Sequence, residues 1–332
     1  MSDTATNIAA ATQQVKQHKF DISAWRAEIG VAIALVFLVA VFSFTAPNFF
    51  SAENLVTLMQ QTSVIAIMAV GMTMVIIAGE IDLSVGAMVG LSGTVFALLV
   101  VKAGLPMSVA CLIVLAMAVA VGCFTGMLRV VWAIPTFITT LGLLSALRGT
   151  AFYVSEGLTI GPMPAELAFA WYGHVLGLPM PVWAMLVVIA AGWTVLTQTR
   201  FGRHIYAVGG NAVTASRYGV RVNKLRIAVL VIVQILAALA GMMLVGRLNA
   251  GSATVGELME LDVIAAVIVG GTSLNGGSGR IIGTILGVFF VAVLRNGMVL
   301  NGLDPIIFLI AQGLVIILAV WWSMLRRPKA AG

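Results

Sequence analysis

Ten apolar runs, broken only where proline, glycine or charge intervenes, decide what this chain can fold into. They lie near 29–46, 55–79, 84–101, 106–127, 133–153, 180–197, 226–246, 262–272, 281–301 and 305–324. About 20 apolar residues cross the hydrocarbon core of a bilayer as one helix, and any backbone buried in lipid must satisfy its own hydrogen bonds. The remaining composition closes off the alternative: 61% of the 332 residues are hydrophobic and 9% charged, with a mean hydropathy of +1.10. Too little polar side chain is left to coat a globule in water. The expected fold class is therefore all-α, a polytopic membrane protein of about ten transmembrane helices. The run at 262–272 is too short to span alone and reads as a half helix or a tilted helix buried among neighbours.

The charges set the orientation. Ten crossings put both ends on one side, and with the N-terminus inside, fourteen of the eighteen Lys and Arg residues fall on the inner side: Lys16, Lys19, Arg26, Arg129, Arg200, Arg203, Arg217, Arg221, Lys224, Arg226, Arg280, Arg326, Arg327 and Lys329. This is the positive-inside pattern, so both termini are expected in the cytoplasm. Lys102 and Arg247 fall in outer loops, and Arg148 and Arg295 near outer helix ends, within reach of the interface by snorkelling. A net charge of +6 would suggest nucleic acid in a soluble protein; distributed in this way it reports topology, and no nucleic-acid partner is expected. The first apolar run starts too deep, and lacks the small-residue ending, for a cleaved signal peptide. The chain thus divides into a cytoplasmic tail (1–28), a transmembrane region (29–325) with a large inner loop (198–226), and a short cytoplasmic tail (326–332).

Cys111 and Cys123 are twelve residues apart in one apolar run, about 18 Å along a helix, and cannot bridge. No Cys-x-x-Cys and no histidine cluster suggests a metal or redox site. Small residues recur four apart at Gly86/Gly90, Gly122/Gly126 and Gly283/Gly287, the spacing that lets helix backbones approach closely in lipid.

Three segments could carry function. Gly79, Glu80, Asp82, Ser84 and Gly86 place two carboxylates between two long spans, where an ionisable group needs a partner or water. Either Asp82 or Ser84 caps the following helix while Glu80 faces the cytoplasm, or the carboxylates form a gate, a partner contact or a proton site. The inner loop from Thr199 to Arg226 is basic; Asn211 can cap a short helix over 212–218 that Gly219 would end. The stretch from Gly271 to Gly276 has the glycine spacing of a phosphate loop, but the lysine position holds Gly277, so nucleotide binding is not expected there. Gly90-Leu91-Ser92-Gly93 resembles an intramembrane protease nucleophile, yet no histidine lies in a neighbouring span to act as base. No catalytic residue is predicted. Within the spans, Gln60, Gln61, Ser63 and Asn296 offer uncharged hydrogen-bonding groups that would either line a path for a neutral polyol or pair helices to one another.

Three motifs in this order are similar to those of one family: GEIDLSVG after the second run, AVGGN-x-x-x-A-x-x-x-G-V-x-V in the inner loop, and D-x-I-A-A-V-I-V-G-G-T-S-L-x-G-G before the ninth. Over residues 29–325 the chain resembles the membrane permease of bacterial ATP-driven (ABC) monosaccharide importers of the ribose, xylose and arabinose type. The resemblance implies the ten-helix type II fold shared with vitamin B12 importers, and a bacterial inner-membrane location. It implies a pair of permease chains, identical or not, a separate cytoplasmic ATPase that holds ATP and Mg, and a periplasmic sugar-binding protein. No cofactor would be bound by this chain. Gly209, Gly210, Asn211, Ala215, Arg217 and Gly219 would form the coupling helix that meets the ATPase. Gly79 to Gly86 would be the signature turn, with Glu80 where many relatives carry Gly. Glu156, Glu166, Glu257 and Glu260, in outer segments, would be salt-bridge acceptors for the binding protein. A rival reading, an ion-coupled secondary transporter, calls for a carboxylate or broken helix at mid-membrane, whereas Glu80 and Asp82 are expected near the inner edge. The solute is open among pentose, hexose, deoxysugar, polyol, sugar-like signal and nucleoside.

Overall fold

The computed structural model describes residues 25–325. Eleven long helices, with a short helical stretch over Ala165–Ala168 and Phe169–Tyr172 between the fifth and sixth, account for most of it. They are α1 (Arg26–Thr45), α2 (Ala52–Ile77), α3 (Val85–Ala97), α4 (Met107–Val131), α5 (Thr136–Ser155), α6 (Met180–Gln198), α7 (Arg200–Arg217), α8 (Val222–Leu248), α9 (Met259–Val269), α10 (Ile281–Leu300) and α11 (Pro305–Leu325). One π-helical turn, Leu98–Lys102, prolongs α3. A two-stranded hairpin, β1 (His174–Val175) paired antiparallel with β2 (Leu178–Pro179), lies in the loop before α6. The ten apolar runs correspond to ten helices. Eight of these are long and apolar enough to cross a bilayer, and α11 adds a shorter apolar stretch at Ile306–Leu318. The chain is a multi-pass membrane protein. Lys16, Lys19, Arg326, Arg327 and Lys329, counted above for orientation, lie outside the described residues.

The axis of the bundle is α2. An apolar helix in a membrane protein can be covered by lipid or by its neighbours, and α2 takes the second course: 89% of its apolar window is buried, against 11% for the peripheral α1. It packs on α6, α8, α9 and α10. The predicted small-residue pairs are the contact points of their helices. A Cβ on Gly122 would come within 2.5 Å of Val231 Cα, and one on Gly126 within 2.9 Å of Ile227 Cα, so α4 rests directly on the α8 backbone. Gly283 and Gly287 similarly meet the carbonyls of Gly270 and Ala266, seating α10 on α9. Cys111 and Cys123 are free thiols.

Two segments leave helical geometry inside this bundle. From the inner end, the chain turns at Gly79 (φ +79°) and runs through Glu80–Leu83 without helix until α3 begins. Its end is deep: Gln234, which contacts Asp82, stands 12 residues above Val222 and 14 below Leu248, at the middle of α8. From the outer end, the chain leaves α8 at Asn249 (φ +53°) and descends beside α3. Gly251 lies against Gly93 and Ala97, Val255 against Gly90, and Gly256 against Gly86 and Val89. Only there does α9 start, and its 11 residues cover about 16 Å at 1.5 Å per residue, half a hydrocarbon core. Thus α3 runs outward and α9 inward from starting points that touch, Glu260 lying against Gly86.

The inner loop is more helical than its composition predicts. Helix begins at Arg200, where Thr199 Oγ1 accepts from the Gly202 amide at 3.1 Å, and it is buried along Gly202, Ile205 and Val208. A break follows at Asn211 (φ −159°, ψ 100°). Asn211 Oδ1 then caps the second piece by accepting from the Thr214 amide at 2.9 Å, and Gly219 (φ +85°) ends it.

Candidate functional site

The three sequence motifs meet at one point at the inner end. The amide of Gly277, in the hairpin between α9 and α10, donates to the Ile77 carbonyl at 2.8 Å. Gly209 of α7 is inserted between the same two groups: a Cβ there would collide with the Ile77 carbonyl and lie 2.5 Å from the Gly277 nitrogen. Gly276 (φ +81°) closes the cluster, with the Gly209 carbonyl 2.9 Å and Gly79 3.0 Å from its own added Cβ. Backbone packed on backbone leaves no compliant side chain between the parts, so α7 cannot shift without moving the end of α2, the Gly79 turn and the α9–α10 hairpin together. The two adjacent glycines of α7 are not equivalent, a distinction the sequence does not show. A Cβ on Gly210 meets nothing within 4 Å. Further along, Ala215 is buried while Asn211, Arg217, Gly219, Val213 and Tyr218 face outward, leaving the tip of the loop available to a partner. Nearby, the Tyr206 hydroxyl donates to the Gly279 carbonyl at 2.9 Å; burial pushes this phenol above its ordinary range, against the opposing charge of Arg280.

Glu80 does not face the cytoplasm, contrary to the sequence expectation. It is buried at 3% exposure, with Oε1 3.0 Å from Arg129 Nε and 2.7 Å from Arg226 Nε. The Thr136 hydroxyl donates to its Oε2 at 2.7 Å. One carboxylate thereby joins the inner ends of α4, α5 and α8. The extended backbone beyond it is satisfied by α5, where the Ile81 amide donates to Thr136 Oγ1 at 3.4 Å and the Leu83 amide to Thr140 Oγ1 at 3.1 Å. Two threonines one helical turn apart therefore stand in for a neighbouring strand. Their spacing was the available sequence signal.

Asp82 corrects a second expectation. Fully buried, it is opposite the middle of α8 rather than near the inner edge. Its Oδ1 accepts from the Ser84 amide at 2.8 Å and from the Ser84 hydroxyl at 2.6 Å. Its Oδ2 accepts from Gln234 Nε2 at 2.8 Å, and Ser84 Oγ from the same nitrogen at 2.8 Å. Neither Asp82 nor Ser84 accepts from the first free amides of α3, since the Ser84 side chain makes no cap bond. Instead they fasten the start of α3 to α8.

The outer half holds a cavity of about 490 Å³ between α2, α8, α9 and α10. Of the residues expected along a path, Gln61 and Asn296 line it. Gln60 and Ser63 do not: Gln60 Nε2 donates to the Trp171 carbonyl at 3.0 Å and Ser63 Oγ to the Met59 carbonyl at 2.7 Å, both in buried positions. The wall gains groups that the sequence reading missed, Asn54, Thr57, Asp262 and Arg295. Asn54 and Asn296 exchange amide hydrogen bonds at 3.1 and 2.8 Å. Asp262 is paired with Arg295, whose Nη1 donates to Oδ2 at 3.1 Å, and its Oδ1 accepts from Gln312 Nε2 at 2.6 Å. Fixed amides and a balanced ion pair suit a neutral hydrogen-bonding solute.

Among the acids expected on the outer face, Glu156, Glu166 and Glu257 are exposed. Glu260 is not: it is 6% exposed, its Oε2 finds no hydrogen-bond partner among the described residues, and it cannot meet a docking protein from there. Arg148, expected to snorkel outward, turns inward instead. Its Nη1 donates to the carbonyls of Ala253 at 2.5 Å and Val255 at 2.8 Å, and its charge faces Glu260.

Comparison with known proteins adds what geometry alone does not. Residues 54–320 match the family described as branched-chain amino acid transport system, permease component. The ribose import permease protein of Escherichia coli K12 is 42% identical over 315 residues, 93% of this chain and 97% of that one. The ribose import permease protein of Bacillus subtilis is 35% identical over 320 residues (96% and 98%), and the xylose transport system permease protein of Escherichia coli K12 is 32% identical over 359 residues (90% and 91%). No solved structure matches the chain. Matched over most of its length, the chain belongs to this family of transport permeases, and its relatives there include the ribose and xylose permeases just named.

Proposed function

We propose that the chain is the membrane subunit of an ATP-driven importer that moves a small neutral sugar inward by alternating access. It sits in the inner membrane with both termini cytoplasmic, as a pair of permease chains. ATP and Mg belong to a separate ATPase, and a periplasmic binding protein delivers the sugar. The carrying observation is the junction of Gly209 with Ile77, Gly79, Gly276 and Gly277. A push by the ATPase on the exposed tip of α7 reaches the Gly79 turn and the α9–α10 hairpin through rigid backbone, and a packed bundle responds by switching between arrangements rather than by stretching. The ribose and xylose relatives favour a pentose, and the amide-lined outer cavity fits a polyhydroxylated molecule.

The test is reconstitution in proteoliposomes with the cognate ATPase and binding protein. Radiolabelled ribose should accumulate only with ATP and all three components, and Gly209→Val should abolish uptake. Accumulation by the purified chain alone, driven by an ion gradient, would establish the secondary-transporter reading instead; full uptake by Gly209→Val would remove the coupling assignment.

A further inference from the structure

A second cavity, of about 690 Å³, opens at the inner end, away from the outer cavity. Its walls come from the start of α1 (Trp25, Glu28), the end of α6 (Trp193, Leu196, Thr197), α7 (Arg203, Tyr206) and the α9–α10 hairpin with the first turn of α10 (Gly277 to Ile282). Three features define its chemistry. Arg203 and Arg280 bring two positive charges against the one negative charge of Glu28. Arg280 Nη1 is 3.4 Å from Glu28 Oε1 and its guanidinium is stacked 4.4 Å over the Trp25 ring, yet that buried nitrogen has no hydrogen-bond partner among the described residues. Trp193 (43% exposed) and Ile282 (44% exposed) give the rim an apolar, partly aromatic character. Tryptophan and arginine together at this depth are the groups of a membrane interface. The first piece of α7 beside it packs its apolar face, Gly202, Ile205 and Val208, against the rest of the protein and leaves Arg200, Arg203 and His204 exposed, the side chains that an anionic headgroup would meet.

We propose that this cavity binds the phosphate headgroup of an anionic phospholipid of the inner leaflet, held by Arg203 and Arg280. Its acyl chains would run up the rim formed by Trp193 and Ile282. Because Tyr206 ties α7 to Gly279 beside the cavity, the lipid would brace the coupling segment against α10. The proposal rests on the cytoplasmic placement of α7 argued above.

The experiment uses the full chain in mixed micelles. Tryptophan fluorescence is quenched by phosphatidylglycerol with brominated acyl chains, and by brominated phosphatidylcholine for comparison. Wild type should reach half-quenching at about fivefold less phosphatidylglycerol than Arg203→Gln, the factor expected for one basic side chain near an anionic surface. Lys102→Gln, in the π-helical turn that follows α3 and outside the cavity wall, should behave as wild type, Trp193→Phe should lose most of the phosphatidylglycerol-specific quenching, and phosphatidylcholine should quench wild type and Arg203→Gln alike. Equal half-quenching of wild type and Arg203→Gln by phosphatidylglycerol would overturn the proposal. So would erasure of the difference by millimolar inorganic phosphate, which would identify a free anion as the occupant. Labelling of Arg203→Cys in intact cells, with Cys111 and Cys123 replaced by serine, separates the two readings: reaction with an impermeant reagent from outside would refute the placement of α7, whereas protection from outside together with equal quenching would refute only the lipid assignment.

Discussion

The two segments that enter the bundle without helix, Glu80–Leu83 from the inner end and Ala250–Gly256 from the outer, meet the same difficulty by opposite means. Extended backbone in lipid must find partners for its amides and carbonyls. The inner segment presents amides, and hydroxyls of Thr136 and Thr140 accept them, while Asp82 and Ser84 tie the end to Gln234. The outer segment presents carbonyls, and one cation, Arg148, donates to two of them. The antiparallel bridge between Ile160 and Gly251 and local turns such as that from the Val255 amide to the Ser252 carbonyl add main-chain pairing. The inner fastening is therefore divided among several neutral groups and one ion cluster. In the outer segment, Arg148 is the one side chain from another helix that holds its carbonyls among the described residues, and it also faces the buried Glu260. A distributed attachment can be rearranged piece by piece, whereas a single charged clasp holds or releases as a whole.

Removing that clasp should have the largest effect. Arg148→Met leaves two buried carbonyls unpaired and Glu260 without its facing charge, a loss of about 3 kcal/mol at charged hydrogen-bond strengths. It should appear as a lowered unfolding temperature and as new protease cleavage in residues 249–258; an unchanged unfolding temperature would dissolve the contrast. Glu80→Gln comes next, at about 2 kcal/mol, since Arg129 and Arg226 lose their carboxylate but are one-fifth exposed and partly hydrated. Combining Glu80→Gln with Arg129→Gln should cost less than the sum of the two single changes, and strict additivity would mean that the cluster is not a unit. Thr136→Val with Thr140→Val should cost about 1–2 kcal/mol together, in line with measured interhelical hydrogen bonds in membranes; a loss exceeding that of Arg148→Met would invert the comparison. Gly210→Ala should stay within about 0.5 kcal/mol of wild type, because its side-chain direction is open, and a large loss there would show that the neighbouring Gly209 is not the position that matters.

The helices were legible because hydropathy and punctuation act locally. Ten apolar runs predicted ten helices, and the shortness of the run at 262–272 already pointed to a half helix. Depth was not legible. The run from Val85 looks like a full span in sequence, and only the contact of Asp82 with the midpoint of α8 reveals that α3 begins halfway across. Charge was read through topology alone, so Arg129 and Arg226 counted as orientation signals when each also pairs with Glu80. Gln60 and Gln61 are adjacent and chemically identical, yet one is spent on the Trp171 carbonyl and the other lines the outer cavity; helical phase relative to neighbours decides this, and the sequence carries no such phase for a helix apolar on every side. Topology assigns Glu260 to an outer segment and so to a docking surface, whereas the structure stows it against Gly86, where the absence of a side chain makes room.

The brevity of α9 bears on how the protein is made. Eleven residues emerging from a ribosome cannot hold themselves across a bilayer, so this helix has to wait for the Gly270–Gly279 hairpin and α10 and enter with them as one unit. Insertion of the stretch from Met259 to Leu300 then becomes a single late event, and a nascent chain halted before Leu300 would lack any settled position for the stretch that follows α8.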